Sequence, residues 1–395
     1  PLPVVRTQPA ERPLVLSGDG DGLVDLAGVG ALDPEQAIFY TASFAADPEA
    51  LGDLLDDGAD LVVTDTNRKR ARSWSTLRET AGYTEQAGEE PLVYKPGDQR
   101  LELFPDADDT SATVTRQLGG VQVFATDYGN EVTLTANDRA AGALDGDPQT
   151  AWKVADMGDP VGQRLIIEAE APLTTDHVEL LQPQTGVRTR WLTQVRLTFD
   201  GEEPVVVDLG EESRVEPGQR VDFGERTFSR LEIEILADTS GRRPRYDSES
   251  GVGFAEVRLG DLQVREVIRP PVDLLDAAGE ASADHRLTYL FTRLRTNPAE
   301  PVRTDAETAM ARIVDVPTPR TFGIGGEARL EAAASEELVD ALLGVAPASQ
   351  GGVTATSSDS LPGDLTARAH AAVDGDPTTA WSTPFAGIDG QWVDV

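Results

Sequence analysis

From Leu14 the chain alternates short apolar runs with polar turns. Leu14-Val15-Leu16-Ser17 is followed by Gly18-Asp19-Gly20-Asp21-Gly22, and Ala37-Ile38-Phe39-Tyr40-Thr41 leads to a stretch opened by Pro48. Leu51, Leu54 and Leu55 lay one apolar stripe on that stretch, as an amphipathic helix requires. Ala59–Thr66 is a third strand-like run, and the β-α-β-α-β order predicts a small α/β domain with a parallel sheet over residues 12–106. The grammar then changes to short strands separated by turns: Gln122–Thr126, Glu131–Thr135, Leu165–Ala169, Val178–Leu181, Gln194–Phe199, Val205–Leu209, Leu231–Leu236 and Ala255–Leu259. That spacing, with little helix, predicts an all-β sandwich or jelly roll over residues 107–268. Residues 269–344 read as a connector, with a helical stretch around His285–Arg295, a strand over Arg320–Leu330 and a helix over Ser335–Leu343.

An internal repeat sets the organisation of the rest. Ala143-Leu144-Asp145-Gly146-Asp147-Pro148-Gln149-Thr150-Ala151-Trp152 returns as Ala372-Val373-Asp374-Gly375-Asp376-Pro377-Thr378-Thr379-Ala380-Trp381, identical at eight of ten positions. Gly162-Gln163 recurs as Gly390-Gln391, and Val123-Phe124-Ala125-Thr126 is echoed by Val353-Thr354-Ala355-Thr356. Residues 345–395 therefore read as the start of a second jelly roll. It is truncated at Val395, inside what should be its first core strand, and the chain, which opens at Pro1 without Met, reads as a fragment of something longer.

The repeated motif has two physical readings. In the first, Asp-Gly makes a tight turn, Asp147 caps the next one, Pro148 suits its first position, and Trp152 is delivered to the core as an apolar anchor. In the second, the side chains of Asp145 and Thr150, with backbone carbonyls near Gly142 and Asp147, supply the oxygen shell that Ca²⁺ prefers. Glu256 would close that shell from a distance, and the ion would be structural.

These residues carry a resemblance. Val123-Phe124-Ala125-Thr126, the Asp145–Trp152 motif, Gly162-Gln163 and a strand, then Phe228-Ser229-Arg230-Leu231-Glu232-Ile233 and Gly253-Phe254-Ala255-Glu256-Val257, resemble the discoidin or coagulation-factor type-C family over residues 110–266 and, truncated, 345–395. The resemblance implies a galactose-binding-like jelly roll that binds glycans or surfaces through loops at one end. It also implies calcium ligands at Asp145, Asp147, Thr150 and Glu256. The order of α/β piece, discoidin-like domain, connector (Leu287-Thr288-Tyr289, then Thr292-Arg293-Leu294-Arg295) and second discoidin-like domain is similar to the extracytoplasmic part of actinobacterial α-(1→3)-arabinofuranosyltransferases. That similarity implies an appendage on the outer side of the cell membrane. It would hold an arabinan or galactan-like acceptor, and the catalytic part would lie in a membrane-embedded remainder of the same chain.

Composition narrows the alternatives. Across 395 residues, 69 Asp plus Glu against 34 Lys plus Arg give a net charge of −35, which repels phosphate backbones and argues against nucleic acid as a partner. Cysteine is absent, which removes thiol chemistry and disulfides, and no apolar run is long enough to span a bilayer. Three histidines are too few and scattered for most metal or triad chemistry. Gly18–Gly22 lacks the third glycine of a dinucleotide fingerprint, since Leu23 stands there, so a polar turn capping a helix is the expectation. Arg68-Lys69-Arg70-Ala71-Arg72 reads as a solvated helix start or as a contact with another part of the parent protein.

Against this acidic background two basic, aromatic-tipped loops stand out. One places Arg188, Arg190 and Trp191 together, and the other places Arg243, Arg245 and Tyr246 together. Rings that stack on sugar faces, with planar donors to hydroxyls, are the chemistry of carbohydrate binding. The alternative for both loops is pairing with surplus carboxylates, with Trp191 in the core. The leading expectation is a non-catalytic carbohydrate-binding and scaffolding region. Its competitors are a glycoside hydrolase fragment, which needs two carboxylates about 5–10 Å apart in a cleft, and a protein-binding adhesion module, which needs a large exposed apolar patch.

Overall fold

The computed structural model describes residues 12–33, 35–71, 82–90, 92, 103–130, 134–156, 158–183, 190–240, 250–293, 307, 309–327, 330 and 334–395. The chain divides into two compact units, residues 1–294 with 309–321 and residues 295–308 with 322–395.

The first unit opens with β1 (Leu14–Ser17), α1 (Gly20–Gly28), β2 (Ile38–Tyr40), α2 (Pro48–Asp56) and β3 (Asp60–Thr64). Its all-β part comprises β4 (Val114–Leu118), β5 (Val121–Ala125), β6 (Trp152–Val154), β7 (Arg164–Leu181), β8 (Leu192–Phe199), β9 (Val205–Asp208), β10 (Gln219–Asp238), β11 (Val252–Phe254), β12 (Glu256–Arg258) and β13 (Arg265–Arg269). The chain then returns to the first sheet through α3 (Asp273–Ala278) and β14 (Leu287–Leu290).

That first sheet is parallel throughout, in the order β14-β3-β1-β2. Alternation along its strands sorts the core onto two faces. Val15, Leu61 and Val63 pack with Leu51 and Leu55 of α2 and Leu274 and Leu275 of α3, while Leu14, Leu16 and Val62 pack with Leu26 of α1. The expected helix around His285–Arg295 is instead β14, an edge strand whose partner β3 lies more than two hundred residues earlier. No strand forms over the described residues of Arg320–Leu330. Tyr83 and Leu92, expected in the α/β domain, pack into the core of the all-β part.

In the all-β part, β7 and β10 are long antiparallel partners with bulges between Asp222 and Arg226 and between Phe228 and Arg230. The runs expected as separate strands at Leu165–Ala169 and Val178–Leu181 are the two ends of β7. The sheet runs β12-β7-β10-β8-β9, with β5 also on β7; β11 pairs with β6, and β13 with β4. Leu165, Ile167, Val195, Leu197, Leu231 and Ile233 alternate into a core closed by Trp152 and Phe254, whose rings stack 6.4 Å apart. This is the expected jelly-roll class beside a small α/β layer. The expected strand at Glu131–Thr135 falls partly outside the described residues, and Leu134 and Thr135 are not in a strand.

The second unit contains α4 (Glu336–Leu342), capped by Ser335, and a short antiparallel pair, β15 (Thr356–Ser357) with β16 (Val393–Asp394). Among the described residues no helix is long and apolar enough to cross a membrane.

Candidate functional site

The Asp145 loop is built between two short 3₁₀ turns and β6. Ala140–Ala143 forms a wholly buried turn, and Gly142 lies against the backbone of Ala151, where an added Cβ would stand 2.9–3.0 Å from main-chain atoms. Asp145 Oδ1 accepts the Asp147 N–H at 3.0 Å, and Asp147 Oδ1 accepts the Gln149 N–H at 3.0 Å, so the motif caps itself. Trp152 is fully buried and its indole N–H donates to Asp127 O at 2.9 Å. The structural half of the sequence reading is therefore what the loop does locally.

The oxygens of the loop do more. Thr150 Oγ1 lies 2.8 Å from both carboxylate oxygens of Asp145, 2.8 Å from Asp147 O and 3.5 Å from Gly142 O. One hydroxyl proton serves one acceptor, so most of these lone pairs converge without a donor between them. Asp147 contributes its carbonyl to this cluster, while its carboxylate is turned to Gln149. Burial raises the Asp145 carboxyl above its usual range, against the bonds from Asp147 and Thr150 that lower it. Glu256, on β12 opposite Leu181, is 3% exposed, and its Oε1 has no hydrogen-bond partner. Burial first, and then the charge of Asp145, push its carboxyl up to about 7. Among the described residues no three acidic or imidazole side chains form a metal cluster. The donor set here is two carboxylates, a hydroxyl and backbone carbonyls, which suits a hard cation such as Ca²⁺.

The two basic loops fare differently. Arg188, Arg243, Arg245 and Tyr246 lie outside the described residues. Arg190 is not a sugar donor. Its guanidinium is 6% exposed and donates to Ala155 O (2.6 Å), Gly158 O (2.8 Å) and Ser250 O (3.0 Å), with Asp238 at 3.4 Å. These bonds leave it no capacity for a ligand, and they tie three segments together at one end of the sandwich. Trp191 is half-buried, at the rim, beside Arg214, whose guanidinium stands 4.9 Å from the ring centroid. Sequence reading missed Arg214, since nothing local links it to a tryptophan more than twenty residues earlier.

Two other expectations are settled here. Asp19 caps α1, accepting from Asp21 N at 3.1 Å and Gly22 N at 3.4 Å, so the helix start that a phosphate would need is taken by a carboxylate. The basic cluster is not solvated as a whole: Arg68 is buried 3.4 Å from Asp65, and Lys69 pairs with Asp109 at 2.7 Å.

The second copy repeats the loop's bonds among Asp, Asp and Thr, without the contact to the preceding turn that Gly142 O makes. Thr379 Oγ1 lies 2.9 and 2.7 Å from the Asp374 carboxylate oxygens and 3.0 Å from Asp376 O, and the Trp381 indole donates to Asp359 O at 3.1 Å. Ser358 bonds to Gln391 and Trp392 as Thr126 bonds to Gln163 and Arg164, so Thr126 corresponds to Ser358. The echo expected at Val353–Thr356 is two residues out of register, a shift that preserves which face each side chain takes.

Neither known protein families nor curated proteins match the chain. Among solved structures it is similar to the mycobacterial arabinofuranosyltransferase AftD, in its R1389S mutant form, at 15% identity over 67% of this chain and 20% of that one, with a TM-score of 0.46. A second structure of mycobacterial AftD gives 13% identity, the same coverage and a TM-score of 0.44. A family 32 carbohydrate-binding module of Clostridium perfringens NanJ, in complex with galactose, gives 15% identity over 36% of this chain and 97% of that one, with a TM-score of 0.27. The chain thus spans about a fifth of the length of the arabinofuranosyltransferase structures.

Proposed function

We propose that the chain is a carbohydrate-binding and scaffolding region of a larger cell-envelope glycosyltransferase, an arabinofuranosyltransferase acting in arabinan synthesis. On this reading it lies on the extracytoplasmic side of the membrane and presents an arabinan or galactan-like acceptor to a membrane-embedded remainder of the same protein. The observation that carries the reading is the duplicated loop, whose aspartate–threonine bonds recur in both units, with a buried carboxylate, Glu256, on which the charge of Asp145 acts in the first copy. That construction fits the discoidin-like resemblance of the sequence and is more than a capped turn requires. Trp191 is the ring a sugar would stack on, and Arg188, Arg243, Arg245 and Tyr246 are its partners by sequence position. Arg190 ties Ala155, Gly158 and Ser250 together.

In the first copy a calcium ion would be held by Asp145, Thr150, the carbonyls of Gly142 and Asp147, and Glu256. It would supply charge neutralisation and rigidity. Binding through a shallow rim is weak, on the order of millimolar to high micromolar per site. The test is an NMR titration of the chain with arabinan and galactan oligosaccharides, with and without EDTA. Shifts around Trp191 that weaken on chelation are expected. Absence of shifts with any glycan would refute the binding role and leave scaffolding alone.

A further inference from the structure

Eight residues, Glu211–Gly218, cross the end of the sandwich between β9 and β10. Their first half is pinned beside Trp191. Gln182 donates from its backbone N–H to Ser213 O at 2.6 Å and from Nε2 to Ser213 Oγ at 2.8 Å. The same amide accepts the Leu192 N–H at 2.8 Å and donates to Leu192 O at 3.1 Å. Arg214, the next residue, lies over the Trp191 ring. Their second half is pinned beside the cation loop. A Cβ on Gly218 would stand 2.8 Å from Leu180 O, so the turn lies flat on the end of β7, where Glu256 pairs with Leu181. Arg258 completes the attachment: it donates to Pro217 O and bonds Glu216 Oε2 at 3.0 Å.

Arg258 stands two residues from Glu256 on one strand, hence on the same face. Its charge acts on Glu256, as does the opposing charge of Glu216. The guanidinium therefore ties the strand that carries Glu256 to the turn that carries Arg214. Given the cation and glycan reading above, we infer that Glu211–Gly218 is a strap coupling occupancy of the Asp145–Glu256 cluster to the Trp191 face, with Arg258 as its positioning residue. A cation bound at Glu256 would place positive charge on the same strand face as Arg258, whose bonds are to Glu216 and Pro217. The turn then settles on the guanidinium, and the cover that Arg214 gives the ring changes. A neutral sugar that stacks on Trp191 competes with that cover, so its affinity responds to calcium although no sugar oxygen reaches the cation.

The experiment follows calcium binding to the whole chain by calorimetry and Trp191 by fluorescence, read as the difference between wild type and Trp191→Phe. Wild type should release or absorb heat with calcium, change its Trp191 emission, and shift oligosaccharide affinity by about five-fold, at the lower end of ordinary coupling. Arg258→Gln removes a positive charge beside Glu256, so it should bind calcium at least as tightly, yet show no Trp191 response. Arg258→Lys keeps the charge without the paired contacts and should respond only in part. Melting curves of both variants check that the sandwich is intact. Calcium heat with a silent Trp191, or an equal response in Arg258→Gln, overturns the coupling while leaving the cation site standing. No calcium heat at all overturns the cation reading and the coupling with it.

Discussion

Replacing Asp273 by Asn should make the α/β layer more stable at neutral pH and remove part of its pH dependence. Asp273 opens α3, where the Ser17 hydroxyl donates to its Oδ1 and its own helix N–H, from Leu274, donates at 2.8 Å. Its Oδ2 is buried without a partner. The charged groups that act on it are Asp276 and Asp108, both negative; α2 presents Leu51 and Leu55 to this helix, and β1 carries no charge. Burial, against the bonds from Ser17 and Leu274, pushes the carboxyl up to about 6. A rise from 3.8 to about 6 corresponds to about 3 kcal/mol. Because the folded state holds the proton more tightly, that stability is fully present below pH about 4 and is lost as the pH rises through about 6. The carboxamide keeps the acceptor for Ser17 but buries an NH₂ without a partner, a cost of about 1 kcal/mol. The variant should therefore gain about 2 kcal/mol at pH 7.5 and lose about 1 kcal/mol at pH 4. Amide hydrogen exchange of β1, β3 and β14 at pH 4, 5, 6 and 7.5, corrected for intrinsic rates, reads the layer itself rather than the whole chain. Glu256, pushed up to about 7, titrates in this window too, so the readout is the difference between wild type and variant. A difference that stays flat from pH 4 to 7.5 refutes the reasoning.

Arg190→Met should destabilise the sandwich by about 3–5 kcal/mol, because it leaves Asp238 buried and uncompensated; urea denaturation monitored by far-UV circular dichroism measures it. A loss of glycan binding without loss of stability would contradict the anchoring role of Arg190. Trp152→Ala should cost about 3–5 kcal/mol by the same measurement, since the ring is fully buried against Phe254. Gly18→Ala should weaken the α/β layer, because a Cβ there would lie 2.0 Å from Thr64 Oγ1 at a φ of +149°. Adding Thr64→Ala should restore only part of that loss in hydrogen exchange.

What the sequence disclosed depended on how local the determining contacts were. Gln194–Phe199 alternates cleanly, so most of β8 was legible, and Pro48 marked the start of α2, where the structure adds Asp47 as the cap. β14 was not legible. Leu-Thr-Tyr-Leu becomes a strand because β3 offers it an edge, and the same residues alone fit a helix as well. Arg190 misled for a related reason. A basic residue in a loop beside a tryptophan looks solvent-facing, but its acceptors are carbonyls at Ala155, Gly158 and Ser250, which the fold brings together from distant positions. Glu256 was legible because an oxygen shell at the Asp145 loop needs a distant carboxylate to close it, and the resemblance pointed to the same residue; its two-residue neighbour Arg258 and the turn it holds had no such pointer.

The two copies of the loop separate what a motif encodes from what its surroundings add. Asp145 and Asp374 make the same bonds to threonine and to the following aspartate, so ten residues suffice to fix the turn and aim the tryptophan. Their carboxyls nonetheless move in opposite directions. Burial raises that of Asp145, whereas Asp374, exposed, is lowered by its bonds from Asp376 and Thr379. Position also differs within the turn, since Ala371 stands where Gly142 lets the first loop close onto Ala151. A carboxylate held away from water, coupled by charge to a second buried one, gains more from a divalent ion than one already satisfied by water and backbone. On the proposed reading, cation affinity would be a property of the sandwich that carries Glu256 rather than of the motif alone. Asp145→Asn should abolish the calcium heat, while Asp374→Asn should leave it unchanged.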